Sequence, residues 1–241
     1  MSRGALSGAR VSRARRGVVV ALFTAAAVAA CKNDVVSVPA AQKVGKISLL
    51  SGNLQTGRVA DAAPNQLSVE VHDTRGVPMA GVEITFAPSG GSVSGLGDNL
   101  AVSDSEGVAS VTFTYGLTEG DYTIKATAAG AADTVVFSEH ANPGPAMAVE
   151  ELTGAGQSAA AGSVLSTPLT VEIVDLFGNP IAGATVTWSV TGGGTLSSPT
   201  SITDENGKAS VTLTLGATTG DETVTAHVDN VPDAVFVETA K

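Results

Sequence analysis

Cys31 is the residue whose position in the sequence indicates a defined chemical modification, at its thiol group. It is the only cysteine among 241 residues. It follows a basic segment, which has five arginines and no acid, and then a 14-residue apolar run from Gly17 to Ala30. These are the n-region and h-region of an export signal. A spanning helix needs about 20 apolar residues, so the run predicts a cleaved leader and not a permanent span.

The residues around the expected cleavage site, Val28-Ala29-Ala30-Cys31, resemble the lipobox of bacterial lipoproteins. The resemblance implies diacylglycerol on the Cys31 sulfur, cleavage before Cys31 and acylation of the new amino terminus. Several acyl chains, at about 0.8 kcal/mol for each buried CH₂, would hold the protein at a membrane. The alternative is ordinary secretion after Ala30, with a free thiol at the mature end. We expect a lipid-anchored protein of the bacterial cell envelope, at the outer membrane or cell surface.

The histidines and one glycine-rich segment are weaker candidates for a site. His72, His140 and His227 lack the paired spacing of zinc ligands. We expect His72 and His227 on the polar sides of strands and His140 in a linker, all three solvated. Residues 154–159 fit the dinucleotide fingerprint G-x-G-x-x-A, but the βαβ context that the fingerprint requires is missing. This segment is predicted to be a loop after a first strand.

Two acidic turns and one aromatic residue complete the candidates. Asp104 and Asp204 have oxygen ligands that suit calcium, although an aspartate followed by glycine also forms a turn without metal. Phe177, beside Leu176 at a predicted hairpin tip, either anchors a partner or packs against its own domain or the linker. No G-x-S-x-G motif is present and no Ser/His/Asp set is distinguishable. We predict no enzyme, with no catalytic residue, cofactor or metal site.

Charge and composition limit the partners and the kind of core. The leader contains five arginines and no acid, so its removal changes the formal net charge from −10 to −15. Such a surface repels phosphate backbones, which excludes nucleic acid as a partner. The expected partners are a membrane, through lipid on Cys31, and a protein or glycan at the cell surface; the oligomeric state stays open. With only 4% aromatic residues, the cores should consist mainly of Val, Ile, Leu and Ala.

Two long segments of the sequence are duplicated. Residues 67–73 match 169–175 at an offset of 102, and residues 104–121 match 204–221 at an offset of 100. The difference of two residues falls in the Gly/Ser-rich connection between the matched segments. Each copy should therefore be a complete structural unit.

Within each copy the hydrophobic pattern has a period of two. Leu67, Val69 and Val71, for example, alternate with Ser, Glu and His. Such alternation predicts strands with one face in a core and one in water. Turns that begin with Asp and end with Gly, such as Asp73 to Gly76, separate these strands. About seven short strands in each copy fit an antiparallel β-sandwich, so we predict an all-β chain.

Both copies share a glycine and proline pattern, D-x-x-G-x-P-x-x-G, followed by D-x-x-G-x-A-x-x-T-[FL]-T-x-G-x-x-x-G-D. The pattern resembles the bacterial immunoglobulin-like domain, group 1 (Big-1 type), of invasin and intimin. This resemblance implies tandem Ig-like modules at a bacterial surface, often spacers for an adhesive tip. The adhesive terminal domain of those proteins has no counterpart in this sequence, so receptor binding is not carried over.

These observations predict five segments. They are a lipoprotein signal peptide (1–30), a tether (31–44), Ig-like domain 1 (45–139), a Pro/Gly linker (140–146) and Ig-like domain 2 (147–239). The expected function is a non-enzymatic envelope lipoprotein whose Ig-like domains act as a structural spacer or as an adhesion or interaction module. The alternative is a glycan- or small-ligand-binding module accessory to an envelope enzyme complex.

Overall fold

The structure is a computed structural model, and it describes residues 43–90, 93–96 and 99–241. Cys31, the signal peptide and most of the tether lie outside these residues, so the lipid anchor stays a prediction. The described residues form β-strands and turns. No helix in this part of the chain is long and apolar enough to cross a membrane.

The first ten strands form one sandwich, which we call domain 1. They are β1 (Val44–Ser51), β2 (Thr56–Arg58), β3 (Leu67–Asp73), β4 (Glu83–Gly90), β5 (Val93–Leu96), β6 (Leu100–Val102), β7 (Val108–Val111), β8 (Phe113–Tyr115), β9 (Gly120–Ala128) and β10 (Val135–Asn142). Asp-Gly turns separate β3 from β4 and β6 from β7, as the sequence predicts.

The next ten strands form a second sandwich, domain 2, and each has a counterpart in domain 1. They are β11 (Ala148–Thr153), β12 (Ser158–Ala159), β13 (Leu169–Val174), β14 (Thr185–Thr191), β15 (Thr195–Leu196), β16 (Thr200–Ile202), β17 (Lys208–Val211), β18 (Leu213–Thr214), β19 (Gly220–His227) and β20 (Ala234–Ala240). The duplication of the sequence is therefore a duplication of strands.

The two domains have the same sheet topology. Domain 1 has a three-stranded sheet, β1-β3-β7, and a five-stranded sheet, β2-β10-β9-β4-β6. Domain 2 repeats this order as β11-β13-β17 and β12-β20-β19-β14-β16, and each domain has one further two-stranded sheet, β5-β8 or β15-β18. Two facing sheets of this kind make an Ig-like sandwich. The prediction of an all-β chain with two tandem Ig-like sandwiches is confirmed.

One strand pair in each domain is parallel, which the antiparallel prediction does not include. After β1 or β11 the chain crosses to the other sheet, where β2 pairs in parallel with β10, and β12 with β20. In domain 1 this pairing gives residues 140–142 backbone partners on β2. His140 therefore lies on strand β10, and the prediction that it belongs to the linker is wrong.

Each domain has its own core, built by the predicted alternation. Leu67, Val69 and Val71 on β3 are fully buried, and Val186 and Trp188 on β14 are buried as well. Among the described residues, the buried apolar cluster of domain 1 and that of domain 2 have no member in common. Burial of a large apolar side chain contributes about 1.5–3 kcal/mol, so each domain carries its own source of stability.

Most of the described aromatic residues lie in the two cores, which otherwise consist mainly of aliphatic side chains, as the composition predicts. In domain 1, Tyr115 lies edge to face with Phe113 and with Tyr122, at centroid distances of 5.0 and 6.0 Å. In domain 2, Trp188 lies 6.3 Å from Phe236. The chain contains one tryptophan and two tyrosines. Trp188 is therefore a spectroscopic probe of domain 2, and the two tyrosines are probes of domain 1.

Candidate functional site

The histidines pair with carboxylates near the surface. Their contacts are His72 Nε2 to Glu70 Oε1 (3.3 Å), His140 Nδ1 to Asp121 Oδ1 (2.8 Å) and His227 Nδ1 to Asp233 Oδ1 (2.7 Å). The hydrogen bond with Asp233 raises the pKa of His227, and burial has a smaller opposite effect. Within residues 43–90, 93–96 and 99–241, no group of three or more His, Cys, Asp or Glu could hold a metal ion.

The acidic turns use their carboxylates to bind backbone. Asp104 Oδ1 accepts hydrogen bonds from the N–H groups of Glu106 (3.0 Å) and Val108 (2.9 Å). Asp204 Oδ1 accepts the same two bonds in domain 2. Gly107, which ends the first turn, has a φ of +78° that favours glycine. Turn formation therefore accounts for both aspartates without a cation.

A buried glutamate binds a glutamine at the same place in each domain, which the sequence analysis does not predict. In domain 1, the backbone N–H of Gln55 donates to Glu139 Oε2 at 2.8 Å. In domain 2, the backbone N–H of Gln157 donates to Glu238 Oε2. Both glutamine side chains also donate to a backbone carbonyl three residues earlier. Residues 154–157 are therefore a loop after β11, as predicted, whereas Ser158 and Ala159 form β12; Gln157 has a structural role.

The buried glutamates differ in how well they are paired. Burial raises the pKa of Glu139 to about 7, against the effect of the hydrogen bond from Gln55. Its Oε1 atom is buried without a hydrogen-bond partner in the described part of the chain. Burial also raises the pKa of Glu238, but both of its oxygens accept backbone N–H groups, from Gly156 and Gln157. Of these two matched glutamates, Glu139 is thus the less satisfied. A third buried glutamate, Glu222 in domain 2, also has one oxygen, Oε2, without a partner among the described residues.

A surface groove on domain 1 lies beside this carboxylate. It has a volume of about 370 Å³, and its lining includes Leu54, Ser138 and His140. Leu54 is 77% exposed and has a φ of +61°, at the position of Gly156 in domain 2. A left-handed backbone costs a non-glycine residue about 1–2 kcal/mol. The turn beside the groove is therefore strained in domain 1 and relaxed in domain 2.

Phe177 is the copy-specific aromatic residue at a turn of domain 2. It is 41% exposed, and its neighbour Leu176 is 69% exposed. Among the described aromatic residues it is the only one that is exposed. The described surface therefore has no row of aromatic side chains on which sugar rings could stack.

The turn that contains Phe177 is closed by a buried aspartate. Asp175 is 3% exposed, and its Oδ1 atom accepts hydrogen bonds from the N–H groups of Phe177 (2.8 Å) and Asn179 (2.9 Å). Its Oδ2 atom accepts two more, from Asn179 Nδ2 and from the N–H of Gly144, both at 2.8 Å. Gly144 belongs to the segment between β10 and β11. The turn of domain 2 is therefore bonded directly to the linker.

These bonds outweigh the cost of burying the charge on Asp175. Burial opposes ionisation of the carboxyl group, whereas the hydrogen bonds from Asn179, Gly144 and Phe177 favour it. The resulting pKa of Asp175 lies below its ordinary value. Asp175 is therefore ionised at neutral pH, and its bonds are of the stronger, charge-assisted kind.

Asn179 extends this network to domain 1. Its Nδ2 atom donates to the carbonyl of Leu117 at 2.8 Å, and its Oδ1 atom accepts the N–H of Glu119 at 3.0 Å. Residues 117–119 form the turn between β8 and β9. Asn179 is only 5% exposed, so these contacts are largely shielded from water. We call Leu117–Glu119, Gly144 and residues 175–179 the interdomain joint.

The joint contains a groove of about 380 Å³, which Glu119, Pro143 and Pro180 help to line. Its described surroundings provide fixed backbone partners and no arrangement of a nucleophile with a base. What this geometry can do is fix the positions of two domains relative to each other.

Asn179 was not singled out in the sequence, although one signal was available there. The duplication aligns Asn179 with Val77, so a polar residue in one copy replaces an apolar residue in the other. The same alignment places the aromatic Phe177 opposite Arg75. A polar residue that occurs in only one copy, next to the linker, is equally informative.

Comparison with known proteins agrees with this architecture. Residues 55–138 and 150–238 each match the family described as bacterial Ig-like domain (group 1). The chain is similar to the Escherichia coli adhesin FdeC, with 22% identity and a TM-score of 0.53 over 81% of this chain and 62% of that chain. This likeness supports the fold, and it spans less than two thirds of the FdeC chain.

Two further solved structures are similar at lower TM-scores. The D0–D1 domain of intimin has 21% identity and a TM-score of 0.34, over 80% of this chain and 98% of that chain. InvD of Yersinia pseudotuberculosis has 15% identity and a TM-score of 0.48, over 78% and 57%. The two family matches cover more than half of this chain and coincide with the two sandwiches. The chain therefore belongs to the bacterial Ig-like domain (group 1) family, of which it contains two tandem copies.

Proposed function

We propose that this protein is a non-enzymatic lipoprotein of the bacterial cell envelope, in which two Ig-like domains act as a spacer and as an adhesion or interaction module. The observation that carries the proposal is the tandem pair of group 1 Ig-like domains. The leader and the lipobox-like segment before Cys31 support the lipid anchor. The adhesin FdeC, which has a similar fold, supports the adhesive role by analogy alone.

The arrangement of charge and aromatic groups supports a protein partner more than a glycan. A chain with a formal net charge of −10 before leader removal offers a surface rich in carboxylates. Phe177 is the one exposed aromatic residue in the described part of the chain. A sugar ring that stacks on aromatic side chains would find a single partner there.

The anchor is tested by expressing the full chain in a bacterium that processes lipoproteins. We expect the mature protein to lack residues 1–30, to carry added acyl mass and to partition into the detergent phase. Cys31→Ala should abolish all three properties. A soluble protein with an unmodified Cys31 would contradict the lipid anchor.

The adhesive role requires that the domains face outward, which protease treatment of intact cells tests. We expect proteinase K to digest the domains on intact cells, while a periplasmic marker protein stays protected. Domains that become accessible only after the outer membrane is permeabilised would contradict adhesion and leave a periplasmic spacer.

A further inference from the structure

We infer that Asn179 locks the two Ig-like domains into one fixed orientation, and that the turn from Asp175 to Asn179 is the docking element through which domain 2 binds domain 1. This inference deepens the proposed spacer role and rests on it for its purpose. The orientation itself can be measured without any membrane or partner, so it can fail or succeed independently of the anchor.

The side-chain amide of Asn179 has every hydrogen-bonding group in use. Its two N–H groups donate to Leu117 O in domain 1 and to Asp175 Oδ2 in domain 2, both at 2.8 Å. Its oxygen accepts the N–H of Glu119 in domain 1. A half-turn of the amide would place the NH₂ group against the N–H of Glu119 and the oxygen against two other oxygens. The network therefore allows one orientation of the amide.

The amide also fixes the domains in more than one direction. Leu117 O and Glu119 N belong to one turn of domain 1, and Asn179 bonds to both at once, at 2.8 and 3.0 Å. Asp175 adds a separate bond to Gly144 in the linker. Rotation of domain 2 about the linker would break the bonds to Leu117 and Glu119 together. A buried donor or acceptor without a partner costs about 1–3 kcal/mol, so such rotation is opposed.

The other copy of the turn shows that folding of the turn alone does not require Asn179. Asp73 in domain 1 closes its turn through the N–H groups of Arg75 (2.8 Å) and Val77 (3.0 Å). Val77 occupies the place of Asn179 and is 45% exposed. The second oxygen of Asp73 binds the guanidinium group of Arg75 instead of an asparagine. The amide in domain 2 is thus an addition to a turn that forms without it.

The contact unites domains whose cores are separate. The described residues from 43 onward belong to one compact unit, although each domain buries its own apolar cluster. A short connection, between the end of β10 at Asn142 and the start of β11 at Ala148, joins them. Prolines at positions 143 and 145 restrict the backbone of this connection. The stiff connection and the hydrogen bonds of Asn179 together hold the two domains as a rigid pair.

The test measures the interdomain distance with pairs of spin labels. The chain from residue 31 onward carries Cys31→Ala, which leaves no native cysteine, and Lys125→Cys in domain 1 with Thr187→Cys in domain 2. Both positions are exposed and lie on central strands. We expect pulsed electron spin resonance to give one narrow distance distribution for this parent. Asn179→Val, the residue that domain 1 uses at this position, should shift and broaden it.

Asn206→Ala is the matched control, because Asn206 lies in another exposed turn of domain 2. It should keep the narrow distribution of the parent. A distribution in Asn179→Val as narrow as in the parent, at the same distance, would overturn the inference. The fluorescence of Trp188 must stay unchanged in both variants, which shows that domain 2 is still folded.

Asn179→Asp separates lost hydrogen bonds from lost packing, because the two side chains have nearly the same shape. The new carboxylate would place an oxygen against Leu117 O and Asp175 Oδ2, where the N–H groups now donate. We expect the distance distribution to broaden at neutral pH, as in Asn179→Val. If Asn179→Asp keeps the parent distribution, shape and not hydrogen bonding fixes the domains, and the inference is wrong.

Discussion

Two turns of the same sequence type, residues 73–77 and residues 175–179, have different roles in the two domains. Both begin with a buried aspartate whose Oδ1 accepts backbone N–H groups two and four residues later. In domain 1 the turn ends in Val77, which is largely exposed; in domain 2 it ends in Asn179, which binds domain 1. In this chain, the last residue of a turn that both domains share decides whether the turn binds the neighbouring domain.

Replacing Asp73 or Asp175, the aspartates that close the two turns, should have the largest effect on the free energy of unfolding. Asp175→Ala removes the acceptor for four hydrogen bonds and leaves buried N–H groups unpaired, so we expect domain 2 to lose about 3 kcal/mol of unfolding free energy. Urea unfolding followed by Trp188 fluorescence measures this loss. Asp73→Ala, followed by the near-ultraviolet signal of Tyr115 and Tyr122, should cost domain 1 less, because Arg75 stays solvated. Equal losses would mean that the joint adds nothing to the turn.

A second difference between the domains concerns pH. Glu139 has its pKa raised from 4.5 to about 7, so the folded state binds the proton more tightly than the unfolded state. The contribution of Glu139 to the stability of domain 1 should therefore be fully present below pH 4.5 and should be lost as the pH rises towards 7, whereas the lowered pKa of Asp73 has the opposite effect in acid. One pKa unit corresponds to about 1.36 kcal/mol. Structural relaxation around the ionised carboxylate reduces the free energy that the pKa shift implies, so we expect a loss on the order of 2 kcal/mol of unfolding free energy.

Glu139→Gln should remove this dependence, and unfolding of domain 1 at several pH values, followed by tyrosine signals, measures it. Glu238→Gln is the matched variant in domain 2. Its effect should be smaller, because both oxygens of Glu238 are already hydrogen-bonded. The explanation fails if domain 1 keeps its slope after the loss of the Glu139 carboxyl group.

The smallest expected effect concerns the strained turn beside the groove of domain 1. Leu54→Gly removes the cost of a leucine in the left-handed region, about 1–2 kcal/mol. The glycine also gives the unfolded chain more conformational entropy, which destabilises the folded domain by about 0.5–1 kcal/mol. We expect the free energy of unfolding of domain 1 to rise by roughly 0.5 kcal/mol. The reciprocal change, Gly156→Leu, should destabilise domain 2 and make its turn resemble that of domain 1. Thermal unfolding of both variants, read at the two sets of aromatic probes, measures the difference.

The fold was predictable because its signals are local and occur twice. Alternation such as that of Leu67, Val69 and Val71 assigns a buried face within a few residues, and Asp-Gly turns such as Asp104 to Gly107 end the strands. The parallel pairing of β2 with β10 was not predictable in the same way. It pairs His140 with Thr56. No local sequence pattern indicates which edge of the other sheet the chain will pair with after β1.

The candidate site was only partly predictable, for the same physical reason. The Asp-Gly turns follow from short-range turn chemistry, and the loop at residues 154–157 follows from the all-β pattern around it. The bonds from Asn179 to Leu117 and from Gln55 to Glu139 join residues 62 and 84 positions apart. Whether an asparagine is solvated or buried against another domain depends on what the fold brings beside it.

The sequence by itself therefore determined the strand faces, the turns and the duplication, and it predicts a lipid site at Cys31. These follow from covalent order, backbone preferences and the period of side chains on a strand. The tertiary structure alone decided the parallel edge pairing, the buried glutamates and the joint at Asn179. Those features depend on burial and on partners distant in sequence, since a hydrogen bond between domains exists only when both domains have folded.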